Sequence, residues 1–226
     1  MRRNGFSLVE LMVVLGIVGA LVVIAAPSLT DAARHTRLKA AARDMAGALQ
    51  TARAQAIRTQ TNHVVMFGTA PSGAALPAPA IILQDTDGDG EIDAGETVTF
   101  VPLDAGTEFQ GTPQTTRYGK TNAIGVPVDD PDPLGLFAAP SVAPTSFRDP
   151  GGASTNQVVF QPDGIPRTYD PGPPFNLGPI GSGVGAIYLT NGDPAQGTSG
   201  RDYAVVVTAL GGVRVSQWDV GDGAWQ

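Results

Sequence analysis

The densest cluster of potential metal ligands is an acidic segment, DTDGDGEIDAGE, at residues 85–96. Its carboxylate residues are Asp85, Asp87, Asp89, Glu91, Asp93 and Glu96. Ca²⁺ takes about six to eight hard oxygen ligands, and carboxylates are the side chains that most often supply them. Without a cation, so many negative charges in one short segment would repel one another. The segment is therefore a candidate calcium loop.

The spacing of these residues fits the loop of EF-hand calcium sites at every informative position. Counted from Asp85, carboxylates stand at positions 1, 3, 5, 9 and 12, glycine at position 6 and isoleucine at position 8. The carboxylates at positions 1, 3 and 5 and a bidentate Glu96 could supply about five oxygens. The Glu91 backbone carbonyl and a water held by Asp93 would complete the shell.

Strand-like residues flank the acidic segment, IIL at 81–83 and TVTF at 97–100. We therefore expect a calcium loop between two strands, with Ca²⁺ in a structural role rather than a signalling one. The alternative is an acidic, solvated hairpin turn that binds no metal strongly.

A second unusual acid interrupts the apolar segment from Phe6 to Leu29. Glu10 is the only charge among these 24 residues, and Arg2 and Arg3 precede them. As a helix, the stretch after Glu10 would span roughly 28 Å, close to the hydrocarbon thickness of a bilayer. The basic start predicts a cytoplasmic N-terminus and an exported remainder.

Three simpler interpretations of this segment are a secretory signal peptide, a buried core helix and a plain membrane anchor. A signal peptide cut at residues 24–26 would give a mature chain that begins near Pro27. Its apolar region is normally shorter, and a carboxylate there costs about 2.5–3.5 kcal/mol without benefit. Neither of the other two interpretations accounts for an acid one turn into the span.

The segment GFSLVEL at residues 5–11 resembles the prepilin N-terminus shared by type IV pilins and type II secretion pseudopilins. The resemblance implies that a prepilin peptidase cleaves after Gly5 and methylates Phe6. It also implies that Glu10 pairs with the α-amino group of Phe6 on a neighbouring subunit, because a carboxylate buried in a helix bundle must be paired. Such pairing would set the axial register during filament assembly. Pro27 is expected to kink or locally unwind the helix.

Residues 30–62 read as a continuation of this helix. Small and apolar residues recur at spacings of three and four, which places them on one stripe that packs on a core. They are Leu38, Ala42, Met45, Leu49, Ala52 and Ala56. The arginines and the lysine mostly fall on the remaining surface, which is more typical of a solvated face than of a nucleic-acid contact. Asn62 is expected to end the helix as a left-handed cap.

Residues 63–226 read as a β-rich head. Strands are expected at His63–Phe67, Ala80–Gln84, Thr97–Leu103, Gln157–Gln161, Gly185–Thr190, Tyr203–Ala209 and Gly212–Trp218. Residues 209–212 suggest the turn of a final hairpin, and the Gly- and Pro-rich stretch at about 104–156 suggests a long loop. The predicted organisation is a leader at 1–5, a membrane or filament-core helix at 6–29, its amphipathic continuation at 30–62 and the head at 63–226. The fold class is thus α+β, with the C-terminal half of a long hydrophobic helix packed on an antiparallel sheet.

Segments of the head resemble the GspH/FimT group of minor pseudopilins, the type H proteins of type II secretion. They are VVFQPDG at 158–164, AIYL at 186–189, YAVVV at 203–207 and GGVRV at 211–215. The resemblance implies a minor pseudopilin that assembles with other pseudopilins, held in the bacterial inner membrane by a single span with its head in the periplasm. The alternative is a FimT-like minor pilin in pilus biogenesis or DNA uptake. Members proposed to bind DNA carry a Gly-Arg-x-Arg ending. Here Gly212 is followed by Val213 and then by a single arginine, Arg214.

Charge weighs against a nucleic-acid partner. Residues 1–62 carry eight basic and three acidic side chains, a net charge of +5, whereas residues 63–226 carry six basic and eighteen acidic ones, a net charge of −12. The acidity lies in the head, where a nucleic acid would have to bind. The chain has no cysteine, only two histidines and no nucleophile elbow or phosphate loop, so we do not expect an enzyme.

Overall fold

The computed structural model describes residues 8–101, 117–118, 145–170, 176–192 and 200–226, with the side chains of 23–31 and 117 left out. Gly5 and Phe6 lie outside these ranges, as does most of the predicted loop at 104–156. Pro27 lies in a helix, but its side chain, and so its expected kink, is outside the described residues.

The N-terminal helix predicted from the sequence is present as α1, Leu8–Thr59. Large apolar side chains between Leu8 and Val22 are exposed, with Leu8 at 75% and Val22 at 60%. Farther along, Leu38 and Leu49 are fully buried. The helix therefore has an N-terminal part without a core of its own and a C-terminal part that helps to form one. Within the part of the chain that the structure describes, no helix meets the length and apolarity required of a membrane span.

The helix ends earlier than the sequence predicts. Gln60 has a positive φ of 56°, and its N–H donates to Ala56 O at 3.0 Å, the pattern of a left-handed cap. The Gln60 side-chain amide also donates to Ile57 O at 2.7 Å, so this one residue provides donors for two carbonyl groups at the helix end. Asn62, the predicted cap, is instead the first residue of a strand.

Twelve strands occur among the described residues. They are β1 (Asn62–Thr69), β2 (Ala75–Asp85), β3 (Thr97–Val101), β4 (Arg117–Tyr118), β5 (Gln157–Phe160), β6 (Pro166–Arg167), β7 (Tyr169–Asp170), β8 (Asn176–Leu177), β9 (Gly185–Thr190), β10 (Asp202–Val207), β11 (Val213–Asp219) and β12 (Ala224–Trp225). Each predicted strand overlaps one of them. The two-residue strands β4, β6, β7, β8 and β12 were not predicted, and β4 lies within the stretch expected to be a loop.

The strands form two five-stranded sheets and a small two-stranded one. The first sheet has the order β3-β2-β1-β5-β6, the second has the order β12-β11-β10-β9-β4, and β7 pairs with β8. All of these pairings are antiparallel. The observed fold is therefore α+β, as predicted. The last part of the predicted loop also joins the second sheet, because Thr145 forms a bridge with Ile187.

The core consists of three clusters that follow the two-residue alternation of the strands. The largest cluster combines the α1 stripe with one face of each five-stranded sheet, as in Val65 of β1 and Val205 of β10. The opposite face of the first sheet packs on Tyr169, and the opposite face of the second sheet packs on Trp225. Strands β5, β9 and β10 are consequently buried along their whole length.

A tight turn in the predicted final hairpin joins α1 to the second sheet. Arg53 Nη1 donates to Gly211 O at 2.8 Å, while Gly211 N–H donates to Thr208 O at 2.9 Å. Gly211 has a φ of +77°, and a Cβ built there would lie 2.7 Å from Gly164 O. The turn thus requires glycine for two reasons, its backbone conformation and its close approach to a neighbouring turn.

Replacing this glycine should separate these two reasons. Gly211→Ala is expected to cost about 1–2 kcal/mol from the positive φ and a further amount of about 1–3 kcal/mol from the collision with Gly164 O. Gly73→Ala is the matched control, because Gly73 has a φ of +79° and open space around its Cβ position. Urea unfolding of the full chain in detergent measures both variants. Equal losses in the two variants would contradict the close approach.

Candidate metal centre

The acidic segment forms the connection between β2 and β3. Asp85 is the last residue of β2 and pairs with Asn62 of β1, while the final pair of the β2–β3 ladder joins Gln84 and Thr97. The loop is therefore held at both ends by strands of one sheet, as the flanking sequence predicts. The first residue of the loop, Asp85, is buried at the end of β2, with only 2% of its surface exposed.

Three of the predicted ligands lie together. Asp85, Asp87 and Asp89 each offer a carboxylate oxygen, and these atoms all lie within 4.8 Å of one another. Asp85 is buried, Asp89 is half-buried and Asp87 is exposed, so the group leads from the sheet to the surface. The other predicted ligands, Glu91, Asp93 and Glu96, are not part of this group.

Each of the three aspartates also accepts a hydrogen bond from a backbone N–H group of the loop. Asp85 Oδ1 accepts a hydrogen bond from Gly88 N–H at 2.7 Å. Asp87 Oδ1 accepts one from Asp89 N–H at 3.3 Å, and Asp89 Oδ1 accepts one from Glu91 N–H at 2.8 Å. These bonds use one oxygen of each carboxylate, which leaves a second oxygen that can accept or coordinate.

Glu96 closes the loop on the side of β3. Its Oε1 accepts hydrogen bonds from Thr86 N–H at 2.8 Å and from Thr86 Oγ1 at 3.3 Å. Its Oε2 accepts a hydrogen bond from Asp93 N–H at 3.3 Å. Glu96, which was predicted to bind the metal through both oxygens, therefore accepts backbone hydrogen bonds from Thr86 near the start of the loop and from Asp93 near its end.

Asp85 lies in an unfavourable electrostatic environment. Its pKa is raised, chiefly by burial and further by the carboxylates of Glu96 and Asp87. The Gly88 N–H and the Asn62 side chain oppose this shift. Asp85 Oδ2 is buried and has no hydrogen-bond partner among the described residues. A buried carboxylate oxygen without a partner is costly unless a cation meets it.

The exposed part of the loop is also crowded with negative charge. The carboxylate of Asp89 is the main cause that raises the pKa of Asp93, and burial contributes less. Asp87 and Glu96 add to the shift. Three other acids of the loop therefore act on Asp93, although Asp93 lies outside the compact group.

Tyr169 of β7 anchors the loop to the core. Its hydroxyl donates to Gly90 O at 2.9 Å, and its ring, 1% exposed, belongs to the second core cluster. Burial raises the pKa of this hydroxyl, and the carboxylates of Asp85, Asp89 and Glu91 raise it further. The hydroxyl therefore remains a donor at neutral pH. Sequence analysis missed Tyr169, because it lies 79 residues from Gly90 and its segment has no strand pattern.

The other predicted site is at the opposite end of the chain. Glu10 lies in the first turn of α1, and its side chain is exposed.

A comparison with known proteins bears on this N-terminal site. Residues 1–26 match the family model of the prokaryotic N-terminal methylation motif. The match includes Gly5, Phe6 and Glu10 and stops just before Pro27. No curated protein and no solved structure matches the chain. The motif supports a type IV prepilin-like protein.

Removing the Tyr169 hydroxyl should loosen the acidic loop. Tyr169→Phe leaves the buried Gly90 carbonyl without this donor, so we expect a loss of about 1–3 kcal/mol in unfolding free energy. Urea unfolding in chelator measures the loss, and hydrogen exchange should show faster exchange of residues 85–96. Tyr203→Phe is the control, since its half-buried hydroxyl donates to Gln217 Oε1, far from the loop in sequence. Unchanged loop exchange in Tyr169→Phe would contradict the anchoring role.

Proposed function

We propose that this chain is a minor pseudopilin of the GspH/FimT group, a structural subunit of a type II secretion pseudopilus. The observation that carries the proposal is the match of residues 1–26 to the N-terminal methylation motif. The proposed role is in the assembly and architecture of the filament, and it involves no catalysis by this chain. Its partners would be the prepilin peptidase and the neighbouring pseudopilins.

The division of α1 into two parts supports this role. The large apolar side chains from Leu8 to Val22 are exposed, whereas the stripe from Leu38 to Ala56 is buried against the sheets. An exposed apolar helix surface of this kind is suited to bundling with the helices of other subunits. The buried stripe fixes the head to the same helix, so the head follows the helix into the filament.

Glu10 would direct the bundling. After cleavage behind Gly5, the new α-amino group of Phe6 is a cation at the start of the helix. Pairing it with Glu10 of a neighbouring subunit satisfies both charges in an apolar bundle, where either charge alone is costly. Since the pair forms at one axial offset between subunits, it selects the register of assembly.

The proposed location before assembly is the bacterial inner membrane. The apolar segment of residues 6–29 would be the single span, and Arg2 and Arg3 would hold the N-terminus in the cytoplasm. The β-rich head would then lie in the periplasm and enter the pseudopilus when the helix is extracted.

The head supports the GspH/FimT assignment through the position of its motif segments. Residues 158–160 lie in β5, 186–189 in β9, 203–207 in β10 and 213–215 in β11, and these strands line the core around α1. The alternative of a DNA-uptake pilin is less favoured, because the head carries a net charge of −12 and only Arg214 follows Gly212.

Processing is the first test of this proposal. Coexpression with a prepilin peptidase should yield a mature chain that begins at methylated Phe6, as measured by intact mass. Gly5→Leu should remain uncleaved, because a bulky side chain then occupies the cleavage position. Gly16→Ala is the control and should be processed normally, since a Cβ there has open space around it. A mature chain that begins near Pro27 would instead identify a signal peptide.

Assembly is the second test. Glu10→Gln keeps the shape of the side chain but removes its charge, which should weaken the proposed pair by about 3–5 kcal/mol. Incorporation into filaments with partner pseudopilins should fall more than tenfold, as measured by immunoblotting of sheared filaments. Asp44→Asn is the control, because Asp44 is an exposed acid on the same helix. Equal incorporation of the two variants would contradict the assembly role of Glu10.

A further inference from the structure

We propose that Asp85, Asp87 and Asp89 bind one Ca²⁺ ion, and that this ion stabilises the core behind the loop through Gly90 and Tyr169. The proposal depends only on the acidic loop and its contacts. It would hold for a chain that enters no filament, so its failure and the failure of the pseudopilin proposal can be told apart.

The buried oxygen of Asp85 points to a cation. Asp85 is 98% buried, and its Oδ2 has no hydrogen-bond partner among the described residues. The other side chains that contribute to the group are also carboxylates, so they increase the repulsion rather than relieve it. A cation would both provide a partner for Asp85 Oδ2 and reduce the repulsion between the carboxylates.

The arrangement of the three aspartates fits a single ion. Ca²⁺–oxygen distances are about 2.3–2.6 Å, so two oxygens on opposite sides of one ion lie about 5 Å apart. The three candidate oxygens all lie within 4.8 Å of one another. Because each Oδ1 already accepts a backbone N–H, the carboxylates are held in place before an ion arrives. The ion would thus bind a largely formed site.

A single peptide group, that of Gly90, would connect the bound ion to the core. Gly90 follows Asp89 directly, and its carbonyl accepts the Tyr169 hydroxyl at 2.9 Å. Tyr169 packs in the cluster that contains Met66 of β1 and Val159 of β5. An ion that fixes Asp89 therefore also fixes the acceptor that holds Tyr169 in this cluster.

Calcium titration of the full chain in detergent tests the binding. We expect one Ca²⁺ per chain by isothermal titration calorimetry and a melting temperature about 5–10 °C higher than in chelator, when free Ca²⁺ is near 100-fold above the dissociation constant. Asp87→Asn should weaken binding at least tenfold without unfolding the chain, because Asp87 is exposed. The exposed helix residue Asp44 provides the control Asp44→Asn, which removes the same charge elsewhere. The site is ruled out if the wild-type chain takes up no Ca²⁺, or if both variants bind it equally well.

Hydrogen exchange with and without Ca²⁺ tests the route to the core. In the wild-type chain, Ca²⁺ should slow exchange in residues 85–96 and also around Tyr169 and Val159. In Tyr169→Phe, the same ion should slow exchange in the loop alone. Protection confined to the loop in the wild-type chain would overturn the coupling to the core.

Discussion

The α1 stripe from Leu38 to Ala56 is the surface on which the rest of the structure depends. The two five-stranded sheets are separate in their hydrogen bonding, yet one face of each contributes to the same core cluster with this stripe. Alanine is frequent along it, so that the backbone of the helix can approach the strands closely. The helix therefore joins the sheets as a common packing partner, and the sheets in turn define which part of the helix is buried.

Patterns that repeat along the chain could be predicted from the sequence. The spacing of apolar residues located the buried side of α1, and strand-like runs separated by turn-rich segments located the longer strands, because both patterns are local. Strands of two residues, such as β7, are too short to carry any pattern. The helix end was misplaced for a different reason, since Gln60 satisfies the last turn with its own side chain, which residue preferences do not anticipate.

The candidate metal centre, too, could be predicted only in part from the sequence. The ligand types and their order could be read from the sequence, because all of them lie within one segment of twelve residues. The burial of Asp85 and the contact with Tyr169 could not, since both depend on how distant strands pack. The structure also distinguishes among the predicted ligands, since Asp85 and Asp87 belong to the compact group, whereas Glu96 lies outside it and accepts hydrogen bonds with both of its oxygens. A loop that brings like charges together at a buried strand end departs from what stability alone would favour, and such departures are typical of functional sites.

The bond between Arg53 and Gly211 also has a consequence for how the chain folds. It joins residues 158 positions apart, and the cluster around it needs strands from the last part of the chain. Contacts of such long range make folding slow, because a large loop must close before they form. Because β9, β10 and β11 come much later in the chain than α1, the side of the alanine-rich stripe that packs on the second sheet stays uncovered until those strands are made. A chain with this topology has an extended period in which that stripe is open to other proteins, and a chaperone or a partner subunit could cover it during that time.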